Sequence, residues 1–136
     1  MAANGVILPA GLAHWIDFNM PELGGMRGVR LRCCDRLPFT WAPGFLRNVQ
    51  GLTLWNTVYL KRGCCEIDPQ RPESIELLLH ELVHVGQFRR GPLSFPVRYL
   101  IDFARLGYLR IPAEREARSR AAELLARYLA GPFEPA

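Results

Sequence analysis

The chain has 136 residues, 17 basic and 13 acidic, for a formal net charge of +4, and 49% of it is hydrophobic. This length predicts one domain with a real core and leaves no room for a separate recognition domain beside a catalytic one. The composition excludes a disordered or membrane-embedded chain.

Lys61 is the only lysine, so nearly all the positive charge is arginine. The arginines are scattered, mostly beside acidic residues on helical stretches, which argues for a solvated surface and against a nucleic-acid partner. No apolar run reaches the roughly 18 residues of a membrane span. The N-terminal MAANGVILPAGLAHW lacks the basic segment and apolar run of a secretory signal, so a cytoplasmic location is expected, with export by a dedicated machine still open.

In chain order, residues 8–20 can form a short amphipathic helix ended by Pro21 and Gly24-Gly25. Residues 28–34, GVRLRCC, alternate Val29, Leu31 and Cys33 against Arg30 and Arg32, as a half-buried strand does. A loop with Pro38, Pro43 and Gly44 follows. Residues 51–62, GLTLWNTVYLKR, read as a strand rich in β-branched and aromatic residues, with a bend between its halves at Trp55-Asn56. After IDPQRPES a helix is predicted over about 72–89, started by Pro72 and closed by Gly91-Pro92.

A second helix is predicted over 95–106, with Arg98, Asp102 and Arg105 as one charged stripe. Its aromatic content raises a membrane-surface reading. The expectation is instead a core helix with a salt-bridged outer face, and no membrane partner. A third helix runs over 112–130, stopped by Gly131-Pro132 at the head of a Pro/Gly-rich tail. These elements predict a single α+β domain over 1–136.

The four cysteines form two adjacent pairs, Cys33-Cys34 and Cys64-Cys65, without the CxxC spacing of structural zinc sites. Adjacent strand residues point to opposite faces, so one cysteine of each pair can meet the other across neighbouring strands as a disulfide. In a reducing compartment buried free thiols are the expectation.

The chemistry concentrates in LLLHELVHVGQF, residues 77–88. At about 100° per residue, Glu73, Glu76, His80, His84 and Gln87 share one narrow stripe, opposite Leu78, Leu79, Leu82 and Val85. A buried polar stripe needs partners, and a metal ion supplies them. Imidazoles one turn apart can both reach one Zn2+ ion. Glu81, one step off the stripe, stays out of the ligand set yet near enough to act as general base on a metal-activated water. His14, the third histidine, is expected at the surface or as a cap.

A catalytic zinc needs a third protein ligand, and the downstream acids are Asp102, Glu114, Glu116, Glu123 and Glu134. Asp102 has arginines in its own stripe and Glu134 lies in the tail. On the last helix Glu114 shares an inward face with Ala117, Ala121, Leu125 and Tyr128, whereas Glu116 and Glu123 have i,i+4 arginine partners in Arg120 and Arg127. Glu114 is therefore the chosen third ligand, with Glu116 the alternative.

HELVH completed by a later glutamate in EREA, residues 114–117, resembles the glutamate zincins. More fully, Leu8-Pro9, Val29-Arg30, GLTLWNTVYL and LLLHELVHVGQ resemble a family of metallopeptidase domains associated with extracellular contractile injection systems, over roughly residues 8–120. Arg118 departs from the aspartate often found there, and Trp55-Asn56 from the usual small residues. The resemblance implies a minimal zincin-like fold with the sheet packed on the HExxH helix, and a zinc-dependent peptidase acting on a peptide or protein substrate. It also implies that strand 51–62 is the sheet edge receiving that substrate, with Tyr108 or Tyr99 as the electrophile for the tetrahedral intermediate. The competing reading is a catalytically silent zinc-binding interaction domain associated with a secretion or toxin assembly.

Overall fold

The computed structural model describes residues 2–3, 5–38 and 50–131, and the fold is α+β. Two short strands, β1 (Ala2–Ala3) and β2 (Val6–Ile7), pair antiparallel and lead into helix α1 (Leu12–Asn19). Strands β3 (Arg30–Cys34), β4 (Gly51–Leu54) and β5 (Thr57–Lys61) form a three-stranded sheet in the order β3-β5-β4. β3 runs parallel to β5, and β4 antiparallel to it. Three further α-helices follow among the described residues: α2 (Pro72–Arg90), α3 (Ser94–Leu106) and α4 (Pro112–Ala130).

α2 is the centre of the molecule. Its residues Ile75, Leu78, Leu79, Leu82 and Val85 are fully buried between Val58 and Leu60 of β5, Leu12 and Ile16 of α1, and Ala117, Ala121 and Leu124 of α4. A helix apolar over most of its circumference must be covered on several sides, and here a sheet and two helices do it. The alanines matter most for the site: with only methyl groups at Ala117 and Ala121, α4 can lie close against α2. Ile111, fully buried just before Pro112, anchors the start of α4 and accepts its first helical hydrogen bond from the Arg115 N–H at 3.0 Å.

Several expectations are corrected. Leu8-Pro9 precede α1, which starts at Leu12 after Gly11 turns the chain with φ 83°. The segment 51–62 is a hairpin, β4 and β5 joined through Trp55 and Asn56, so within this segment β4 is an outer strand of the described sheet and β5 is its central strand. Trp55 adopts φ 55°, a region costly for a bulky residue. Its indole N–H donates to the Pro92 carbonyl at 2.8 Å, and its ring lies 5.3 Å from that of Phe88. These contacts tie the hairpin tip to the α2–α3 turn.

α3 is not a core helix: none of its residues is buried, and Asp102 makes no ion pair with Arg98 or Arg105 among the described residues. Its apolar periodicity marks a face but does not say what covers it. On α4, Glu123 pairs with Arg127 as expected, but Arg120 reaches Glu22 and Glu123, leaving Glu116 to Arg90. Pro43, Gly44 and the tail with Glu134 lie outside the described residues.

The expectation of free thiols also fails for one pair. Cys33 and Cys65 are joined in a disulfide, while Cys34 and Cys64 are free. The physical reason is the strand geometry: Cys33 and Cys34 face opposite sides of β3, and only Cys33 turns toward the segment after β5. The bond closes a loop across a sequence separation of 32. Its loss in Cys33→Ala/Cys65→Ala is expected to lower unfolding stability by about 3–4 kcal/mol in urea titrations. Alkylation of the unreduced, denatured protein should modify Cys34 and Cys64 alone. Labelling of all four positions would refute the pairing.

Candidate metal centre

His80 and His84 sit one turn apart on α2, and their ring centroids are 5.0 Å apart. Glu114, in the first turn of α4, reaches both. Its Oε1 lies 2.9 Å from His80 Nε2 and its Oε2 lies 3.2 Å from His84 Nε2. One ligand atom from each of the three residues falls within 4.8 Å of the others, the donor set of a possible metal site. Ligand atoms on a tetrahedron around an ion at about 2.0–2.1 Å are about 3.3–3.4 Å apart, so side-chain shifts bring these residues within reach of a divalent cation.

The hydrogen bonds fix which nitrogens are available. Gln87 donates its amide N–H groups to the Ala113 carbonyl and to a Glu116 carboxylate oxygen, which turns its Oε1 toward His84 Nδ1 at 2.7 Å. From that network we assign the proton to Nδ1, leaving Nε2 facing Glu114. A lone pair facing a carboxylate oxygen is repulsive. The contact therefore requires a proton between the two atoms or a metal ion.

The electrostatics agree. Burial disfavours the charged His84 ring, but the hydrogen bond to Glu114 and the charges of Glu81 and Glu114 outweigh it and raise its pKa to about 9. Burial alone would raise the pKa of Glu114. The hydrogen bonds to His80 and His84, the His84 charge and the Tyr99 hydroxyl reverse this and hold the carboxyl well below the usual carboxylate range. Its place in the first turn of α4, near the positive end of the helix dipole, favours the same charge state.

Glu81 has the opposite environment. It is buried, and burial raises its pKa despite the opposing effects of His84, His80 and Thr53. Thr53 of β4 donates its hydroxyl to Glu81 Oε1 at 2.7 Å. Gly51 passes so close that a Cβ there would lie 3.0 Å from Glu81 Cγ and 3.1 Å from Oε2. β4 thus clamps the carboxylate from above, and glycine is what permits the approach.

Of the residues singled out in the sequence, the structure brings together His80, His84 and Glu114, with Glu81 buried beside them. Tyr99 donates to Glu114 Oε2 at 2.7 Å, and Tyr108 donates to Oε1 at a looser 3.3 Å. Both phenol pKa values are raised by burial and by the Glu114 charge. Glu116 stands outside the cluster and supports Gln87. His14 is exposed on α1, and Asp102 lines a separate cavity with Arg98 and Tyr99. Arg118 donates to the Leu109 carbonyl at 2.8 Å, so no carboxylate from that position orients a histidine; Gln87 does this for His84.

Sequence reasoning missed Gly51 and Thr53. The available signal was their shared strand face, with a glycine where a β-branched or aromatic residue would pack better. An open groove of ≈ 860 Å³ runs past His80 and Tyr108, walled by Arg71, Glu73, Glu76 and Arg118. Comparison of the chain with protein-family models, with curated proteins and with solved structures finds no match.

Because Tyr99 supplies a charge-assisted hydrogen bond to a buried carboxylate, Tyr99→Phe is expected to cost about 1.5–3 kcal/mol in chemical denaturation. Tyr108→Phe, which loses a longer bond, should cost less. Equal effects would mean that the two hydroxyls are not ranked by these distances.

Proposed function

We propose that the protein is a zinc-dependent peptidase in which His80, His84 and Glu114 hold the metal and Glu81 is the general base. The single observation that carries this reading is the convergence of two imidazoles and a buried carboxylate within 4.8 Å, with Glu81 on the same helix. A bound zinc would supply Lewis-acid chemistry, polarising a scissile carbonyl and lowering the pKa of water toward about 7. The chain's own residues do the rest.

Glu81 accepts the proton of the attacking water at Oε2 and returns it to the leaving amine. Its raised pKa suits a group that must hold that proton briefly. Thr53 keeps Oε1 occupied and so leaves Oε2 for the transfer. Glu114, held ionised, stays a ligand and takes no proton. β4, with its outer edge unpaired among the described residues, offers main-chain groups to an extended peptide. The groove past His80 and Tyr108 gives that peptide a path, and Tyr108, if released from Glu114, is the phenol nearest to serve a developing oxyanion.

A zinc-binding interaction domain without turnover is the second reading, and one observation favours it. Both tyrosine hydroxyls are engaged by Glu114, so neither is aimed at a substrate oxygen.

Metal analysis and peptide cleavage separate the two. Wild type is expected to bind about one zinc per chain. Glu81→Gln should keep the metal and lose cleavage by at least about 100-fold, as expected for a general base. Zinc in both proteins with cleavage in neither supports the interaction domain, and no zinc in wild type removes both readings. Glu114→Gln is expected to lose zinc outright. Gln87→Leu should weaken zinc affinity by about 10- to 100-fold in chelator competition, because the His84 ring loses its orienting partner.

A further inference from the structure

α3 has two differently committed faces. On one, Phe95 packs 4.7 Å from Phe88 and Tyr99 reaches Glu114, which fixes the helix to the rest of the domain. On the other, Leu93 just before the helix, Val97, Leu100 and Ile101 recur at i, i+4, i+7 and i+8, so they form one stripe. They are 79%, 58%, 68% and 51% exposed. Nothing among the described residues covers them.

The flanking charges select the occupant. Arg98 and Arg105 fall on one border of the stripe, both exposed, and neither forms an ion pair among the described residues. The helix's only acid, Asp102, lines the cavity beside Arg90 and Glu116; Arg98 borders both that cavity and the surface with Leu93, Val97 and Ile101. A second copy of the chain would set these arginines against their own counterparts on a molecule that also carries +4. Protein interfaces draw their binding energy mainly from Trp, Tyr and Arg, with Leu and Val under-represented, and apart from its bordering arginines this stripe is wholly aliphatic. An anionic lipid surface fits both features: aliphatic side chains enter the boundary between headgroups and acyl chains while arginines stay at the phosphates. Among the described residues no helix is long and apolar enough to cross a membrane, so the contact would lie in the plane of the surface.

We propose that α3 is a membrane-docking helix that lays Leu93, Val97, Leu100 and Ile101 into an anionic lipid surface, with Arg98 and Arg105 on lipid phosphates. The earlier expectation of no membrane partner took this helix to be buried in the core, and it is not. The proposal does not depend on the peptidase reading. It does place the Glu114 cluster close to the membrane, because Tyr99 spans from α3 to that carboxylate.

The test is sedimentation of the full chain with phosphatidylcholine vesicles, with and without phosphatidylglycerol. Binding is expected to the anionic vesicles, to fall with added salt, and to be weak on neutral ones. Arg98→Ala/Arg105→Ala should lower partitioning by roughly 30-fold, from two arginine–surface attractions. Val97→Glu/Leu100→Glu should abolish binding while circular dichroism and thermal melting stay as in wild type, since both side chains are exposed. As a check that needs no loss of function, Leu100→Trp should add a fluorescence component that shifts to shorter wavelength on anionic vesicles. The proposal is overturned if wild type binds neither vesicle, or if the glutamate variant binds as well as wild type. It is equally overturned if wild type is a dimer that this variant dissociates and neither protein binds lipid.

Discussion

Everything at the centre of this domain depends on one buried carboxylate. Glu114 lies between His80 Nε2 and His84 Nε2, inside a low-dielectric region where an unpaired negative charge would be intolerable. Stability of that arrangement requires positive charge on or between the rings and hydroxyl donors on the remaining lone pairs. The helices are placed to meet this demand. α2 brings the imidazoles, α4 approaches on Ala117 and Ala121 to bring the carboxylate, and α3 brings the Tyr99 hydroxyl. Removing any one of the three would leave a polar group buried without its partner.

The two buried glutamates have opposite environments although both stand near the same histidines. Glu114 is surrounded by donors and stays ionised, whereas Glu81 is pressed under β4 with one hydroxyl donor and is pushed toward the protonated form. Environments that drive two carboxyls apart in this way hold one ionised and favour a proton on the other. The division is enforced from further out. Gln87 is oriented by Ala113 and Glu116, and Glu116 is held in turn by Arg90, so the tautomer of His84 is set by residues from α2 and α4 together. Thr53 and Gly51 play the corresponding part for Glu81 from the sheet.

α3 follows a different logic from α2. It joins the domain through aromatic rings and one hydroxyl, and it is flanked by Gly91-Pro92 and Gly107. Trp55 reaches across from the hairpin in a left-handed conformation to bond Pro92 at the start of that segment. The strained tryptophan is thus a brace between the strand above Glu81 and the helix that carries Tyr99. An aliphatic outer face on a helix held by so few buried groups is costly in water, which gives it reason to seek another surface.

Much of the architecture was legible in the chain because local rules carried it. Pro72 and Pro112 start helices, Gly91 and Gly131 end them, and alternation marks the strands, so the elements fall near their predicted limits. That Glu114 faces inward and Glu116 does not was legible for the same reason, since a wheel separates a carboxylate flanked by alanines from one on the arginine face. By itself the sequence determined which side chains share a face. Only the tertiary structure decided what each face meets. It joined Cys33 to Cys65, folded 51–62 into a hairpin over Glu81, turned Gln87 rather than a residue at 118 toward His84, and left the stripe on α3 uncovered. Periodicity is a property of one segment, whereas burial, pairing and charge compensation belong to the segments that close around it.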